Sequence, residues 1–139
     1  MKLIASVLIV AGLVLIFVPS FYTCQADGKA IQLPDGRSIP MKCLWTARAE
    51  IGMGVLQLVV GSLLLISRNL ESKRFLSILT IILGIFIILF PAALIGICIN
   101  PKMSCVVFMK PVLSLIGALT GSLGIAATVW NFSGKSERG

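Results

Sequence analysis

The sequence contains no histidine, and that absence removes the commonest general base and the commonest metal ligand together. Charge is scarce too: charged residues make up 12% of the chain, about half the share usual in globular proteins. No Cys-x-x-Cys pair occurs, so the close spacing that depresses one thiol's pKa in disulfide oxidoreductases is missing. There is no P-loop and no recognisable nucleic-acid module. A net charge of +7 would suggest nucleic acid in a soluble protein, but no aromatic-interleaved basic patch accompanies it. Membrane lipid headgroups are the natural partners of that charge, and nucleic acid is not expected. No small-x-small cleavage site follows the first apolar run, which exceeds the h-region of a signal peptide, and Phe21-Tyr22-Thr23-Cys24 makes a poor lipoprotein box. That run is therefore expected to stay as a membrane span.

What remains is overwhelmingly apolar, at 58% of 139 residues. Four stretches, 3–26, 51–67, 75–101 and 111–134, carry no charge. A bilayer core of about 30 Å needs about 20 helical residues, so each stretch can cross it, the second by extending through residues 45–49. The expected fold is an all-α membrane protein, one integral domain over residues 1–139. Its four-transmembrane-helix bundle has helices at about 3–22, 45–67, 75–97 and 111–131, joined by external loops 23–44 and 98–110. Pro91 should kink or break the third helix, and Pro111 sits where a first-turn proline is tolerated.

The first external loop has its own signal. Ala30-Ile31-Gln32-Leu33 and Arg37-Ser38-Ile39 flank Pro34-Asp35-Gly36. Proline presets φ and glycine accepts positive φ, so a small extracytoplasmic β-hairpin between helices one and two is expected. Basic residues divide evenly between the two faces, so their count does not orient the chain. The cluster Arg68, Lys73 and Arg74 in the short link between helices two and three leans toward both termini lying in the cytoplasm. So does the placement of all four cysteines on the opposite face, where disulfides persist. A multi-pass protein of the cell's inner, cytoplasmic membrane follows.

Three readings compete for those cysteines. The plainest is structural: Cys24 and Cys43 bracket the hairpin loop, Cys98 and Cys105 most of the second loop, and disulfides within each loop would staple it. Closing the first loop would contribute about 3 kcal/mol on the chain-entropy model. A second reading is a membrane thiol–disulfide oxidoreductase of the quinone-coupled DsbB type, with Arg48 near the quinone. The eighteen- and six-residue spacings between the cysteines do not favour it. A third is binding of Cu(I) or another soft metal by Met41, Cys43, Met103 and Cys105, thioether and thiol ligands that suit it. Methionine is also an ordinary gap-filler in apolar proteins. The expectation adopted is no cofactor and no metal, with quinone or copper as the alternatives.

Few polar residues enter the spans. Arg48 and Glu50 stand at the expected start of helix two, where an arginine snorkels to headgroups and a carboxylate is favoured by the helix dipole. Gln57, two turns deeper, is expected to cement helix packing. Gly117-x-x-x-Gly121 in helix four forms a small-residue face suited to close backbone approach, within the bundle or against another protein. With Trp45, these residues are the interface candidates.

The stretch Pro40-Met41-Lys42-Cys43-Leu44-Trp45-Thr46-Ala47-Arg48-Ala49-Glu50, and Cys98-Ile99-Asn100-Pro101-Lys102-Met103-Ser104-Cys105 followed by Lys110-Pro111, resemble the two signature loops of a prokaryotic four-helix membrane family, domain of unknown function 4418. Its members usually have histidine where this chain has Leu44, a departure that weakens any metal or acid–base role at that position. The resemblance implies no chemistry. It implies an accessory subunit, since members often resemble companions of ABC-type exporters with large external domains. The functional expectation is thus a non-enzymatic integral membrane subunit that docks on a larger membrane protein.

Overall fold

The computed structural model describes residues 2–22, 28, 31–39, 42–96, 102 and 105–133, with the side chain of Cys105 excepted. Among the described residues four helices are long and apolar enough to cross a membrane, and a two-stranded sheet lies between the first two. The chain is a multi-pass membrane protein. Helix α1 is Lys2–Phe21, α2 is Lys42–Ile66, α3 is Leu70–Leu89 and α4 is Lys110–Ser133. Side chains such as Val10, Phe17, Val55, Ile85, Leu119 and Val129 are exposed on the outside of the bundle. In water such a surface would aggregate; in a bilayer it is solvated by acyl chains.

Three differences from the expected helix bounds are instructive. α2 begins three residues earlier than expected, so Cys43 lies inside a helix rather than in the loop. α3 begins five residues earlier and takes in Lys73 and Arg74, with Glu71 in its first turn, where the helix dipole favours a carboxylate. The second loop is shortened because a π-helical turn, Cys105–Met109, leads straight into α4.

The expected break at Pro91 takes a definite form. Proline has no N–H to continue the ladder, and the chain widens into a π-helical turn, Phe90–Leu94. The N–H groups of Ile95 and Gly96 both donate to the Phe90 carbonyl, each at 3.2 Å. Gly96 then closes the helix with φ of 77°, a left-handed conformation that glycine adopts without a Cβ clash.

The hairpin pairs β1, Ile31–Gln32, with β2, Ser38–Ile39, antiparallel, with Ile31 opposite Ile39. Its turn is the one that Pro34-Asp35-Gly36 specifies. Gly36 N–H donates to the Leu33 carbonyl at 3.1 Å, Leu33 N–H donates to Arg37 O at 2.9 Å, and Gly36 has φ of 76°.

The bundle is two antiparallel helical hairpins, α1–α2 and α3–α4, each closely packed internally and more loosely joined to the other. Small residues explain this. A Cβ on Gly54 would lie 2.9 Å from the Gly12 carbonyl oxygen, and one on Gly12 would lie 3.0 Å from that of Gly54. A Cβ on Gly84 would lie 2.6 Å from Gly121 N, and one on Gly117 3.0 Å from Gly84 O. Lipid tails are as apolar as leucine, so helices in a bilayer associate through such tight packing rather than by escape from solvent. Leu8, Leu15, Ile87, Met109 and Leu113 fill the centre.

Candidate functional site: a polar seam inside the bundle and a hairpin beyond it

Residues three, four and seven apart on a helix share a face. On α2 that arithmetic places Cys43, Thr46, Ala47, Glu50, Met53, Gln57 and Val60 on one stripe, and all are buried. Three of them, Thr46, Glu50 and Gln57, are polar, which makes α2 the helix that carries a polar seam into the core.

Each member of the seam has a different fate. Thr46 Oγ1 donates to the Gly96 carbonyl at 2.7 Å, tying the start of α2 to the end of the π-helical turn after α3. Gln57 Nε2 donates to Thr120 Oγ1 on α4 at 3.0 Å and reaches the Leu8 carbonyl on α1 at 3.4 Å. One amide therefore bridges three helices and both hairpins. Its Oε1 is buried without a partner. Glu50 is wholly buried, and neither carboxyl oxygen has a hydrogen-bond partner.

Glu50 corrects the sequence reading, which places it at the start of α2, at the interface and under the helix dipole. The helix instead starts at Lys42, with no acidic residue in its first turn. Eight residues of rise, about 12 Å, separate Glu50 from that end, so the dipole of the first turn does not reach it. The carboxyl sits in the bundle interior, and it cannot be a lateral contact for another protein. Arg48, two positions away, is exposed, with its guanidinium carbon 5.7 Å from the centre of the exposed Trp45 ring. This is a cation–π pair on the outer surface of α2.

Gly117 and Gly121 also receive a definite place. Gly117 faces Gly84 and Ile88, so its side is used between α4 and α3, whereas Gly121 lends only its backbone to Gly84 and a Cβ on it would meet open space.

Cys43 carries a free thiol and is 1% exposed. The other half of the clasp expected between Cys24 and Cys43 lies outside the described residues. Cys24, Cys98, Met41 and Met103 lie outside the described residues, as does the side chain of Cys105. Among the described residues no group of three or more His, Cys, Asp or Glu side chains is arranged to hold a metal.

A second polar cluster lies outside the interface candidates that the sequence offers. At the end of the bundle that holds Lys2, Arg74 donates through Nη2 to the Asn131 carbonyl at 3.1 Å, and its guanidinium lies 4.6 Å over the Phe132 ring. Asn131 Nδ2 donates to Ser77 Oγ at 3.2 Å. The signal for it is present as spacing: Arg74 and Ser77 are three apart on α3, and Asn131 and Phe132 sit where an antiparallel α4 must return.

The family model of a domain of unknown function, DUF4418, matches residues 3–130. The chain belongs to this family. No curated protein and no solved structure matches the chain. The match spans all four helices and both loops, so the seam and the hairpin lie within the family's common region.

Proposed function

We propose that the chain is a non-enzymatic integral membrane subunit that docks on a larger membrane complex through its β-hairpin. The supporting observation is the exposed cross-strand pair. Ile31 and Ile39 face each other across the hairpin and are 53% and 48% exposed. Isolated two-stranded hairpins are marginal in water, and an uncovered isoleucine pair is the kind of patch that a partner buries. The hairpin lies beyond the end of the bundle opposite Lys2. With both termini in the cytoplasm it stands outside the cell membrane, and the partner supplies an external surface. The family resemblance points to an ABC-type exporter with large external domains as that partner. In this reading the chain carries no cofactor and works by packing and positioning. Gly117 is used within the bundle against Gly84 and Ile88, whereas the space beside Gly121 is open.

The test is purification from native membranes in mild detergent. A stoichiometric larger membrane protein should co-isolate with the wild-type chain. The variant Ile31→Asp/Ile39→Asp should lose that companion while keeping wild-type helical circular dichroism and a monodisperse elution. A wild-type chain that elutes without a companion, or hairpin variants that retain theirs, would overturn the proposal.

A further inference from the structure

Two adjoining recesses lie where α2 and α3 meet, at the end of the bundle that holds Lys2. The first is an apolar groove of about 660 Å³ between the two hairpins, walled by Leu56, Val59 and Leu63 from α2 and by Phe75 and Leu79 from α3. It is the gap left by the looser joint between the hairpins. The second, of about 560 Å³, is lined by Lys2, Arg68 and Lys73 among others. Ile66 and Ser67 line both, so the two adjoin at these residues. The Ser67 hydroxyl is buried at that junction with no hydrogen-bond partner.

We infer that this pair of recesses is a binding site for one anionic diacyl phospholipid. Each part matches one part of such a molecule. From Leu56 to Ile66 the groove follows ten residues of α2, about 15 Å of rise, which is half of a bilayer's hydrocarbon core and thus the depth of one leaflet. An acyl chain entering from the membrane face would lie along leucine, valine and phenylalanine side chains. Lys2, Arg68 and Lys73 gather at the shallow end, where a phosphate must sit. Ser67, between them and the groove, lies at the level of the glycerol and its ester oxygens and has an O–H to donate.

The charge count favours an anion. Glu71 also lines the groove near this end, which leaves three cations against one carboxylate. Arg74 is the remaining cation of the segment and is turned away, engaged with Asn131 and Phe132. Basic pockets between transmembrane helices on the cytoplasmic side are recurrent sites for anionic headgroups, in the leaflet where such lipids concentrate. This site is at the opposite end of the bundle from the hairpin and does not depend on the docking proposed above.

The experiment is native mass spectrometry of the delipidated full-length protein in mild detergent, titrated with phosphatidylglycerol and, separately, with phosphatidylcholine of the same acyl chains. One phosphatidylglycerol should bind before any other adduct, and phosphatidylcholine should bind at least tenfold more weakly. The double variant Arg68→Gln/Lys73→Gln should weaken that first adduct about thirtyfold, since each cation near an anionic headgroup contributes about a factor of five. Arg68→Lys/Lys73→Arg, which keeps the charge, should restore it. Val59→Trp, which fills the groove, should abolish the adduct with the cations intact, the helical circular dichroism confirming the fold. Equal binding of the two lipids would overturn the inference. So would several equivalent adducts with no first site, or indifference to Val59→Trp. Displacement of the lipid by millimolar inorganic phosphate would also overturn it, by showing an anion site without a lipid groove.

Discussion

The two helical hairpins solve one packing problem with different means. Between α3 and α4 the backbones themselves meet: the missing Cβ of Gly84 would fall 2.6 Å from Gly121 N, and that of Gly124 2.9 Å from Ile81 N. Most polar side chains of this hairpin are matched, although the buried Arg74 Nε has no hydrogen-bond partner. Thr80 donates to the Leu76 carbonyl of its own helix, Thr120 accepts from Gln57, and Asn131 is held by Arg74 and Ser77. Between α1 and α2 the glycines also meet, but α2 brings with it a carboxyl and an amide oxygen that find no partner. One hairpin therefore leaves a single guanidinium nitrogen at its end unpartnered, whereas the other carries three unpartnered oxygens within its span. The lesson is that close backbone approach holds each pair in lipid, and the polar seam of α2 is carried at a cost by packing that does not depend on it.

The largest expected effect would break the comparison if it ran the other way. Gly84→Ala places a methyl group against backbone atoms of α4 that cannot swing aside, and should lower stability by about 2–3 kcal/mol. Gly12→Ala meets the Gly54 carbonyl at 3.0 Å but otherwise the flexible Leu58 side chain, and should lower it by about 1 kcal/mol. Gly52→Ala, with open space around its Cβ, should be neutral or raise stability by up to about 1 kcal/mol through helix propensity. Denaturant titration of the three variants in one detergent would rank them. A larger loss at Gly12 than at Gly84 would refute the view that α3–α4 is the tighter pair.

Glu50 gives the next largest effect, and of the opposite sign. A buried carboxyl without a hydrogen bond is destabilising in a bilayer interior, and leucine of similar volume removes that burden. Glu50→Leu should therefore raise stability by about 2 kcal/mol in the same titration. A loss of that size would show instead that the carboxyl has a partner in the membrane, and the α1–α2 hairpin would then be as well matched as its neighbour.

How much of this is legible in the sequence depends on the scale asked about. Uncharged stretches of about twenty residues settle four spans, because hydrocarbon thickness leaves no other use for them. Pro34-Asp35-Gly36 settles the hairpin turn, since each residue there has a backbone preference the turn needs. Glu50 is easily misplaced because charge and helix propensity alone do not mark where a helix begins. Lys42, Cys43 and Leu44 read as loop by their neighbours yet fold as helix. The shared face of Thr46 and Glu50 follows from their spacing alone. Which neighbouring helix covers that face does not follow from it, because every face of a membrane helix is apolar enough to be the buried one. The pairing of Gly84 with Gly117 and Gly121 is hidden for the same reason: a small-residue motif says that a backbone can come close, and not whose.

Gln57 is the smallest of the three expected effects, and the one that sharpens the comparison most. Its amide is the described hydrogen bond that joins the two hairpins through their middle, from α2 to Thr120 of α4, with a longer reach to Leu8 of α1. Interhelical hydrogen bonds in membranes contribute about 0.6–2 kcal/mol, because the separated helices also find partners. Gln57→Leu removes that bond, but it also removes an amide oxygen that is buried without a partner, so the two effects partly offset. The net loss should be about 0.5–1 kcal/mol. Thr120→Val should cost more than Gln57→Leu, since it leaves the amide in place with its better acceptor gone. The double variant should recover most of that difference. If Thr120→Val proves the milder single change, the amide has a second route to satisfaction. The two hairpins would then be joined by the packing of Leu8, Ile87 and Leu113 rather than by a polar bond.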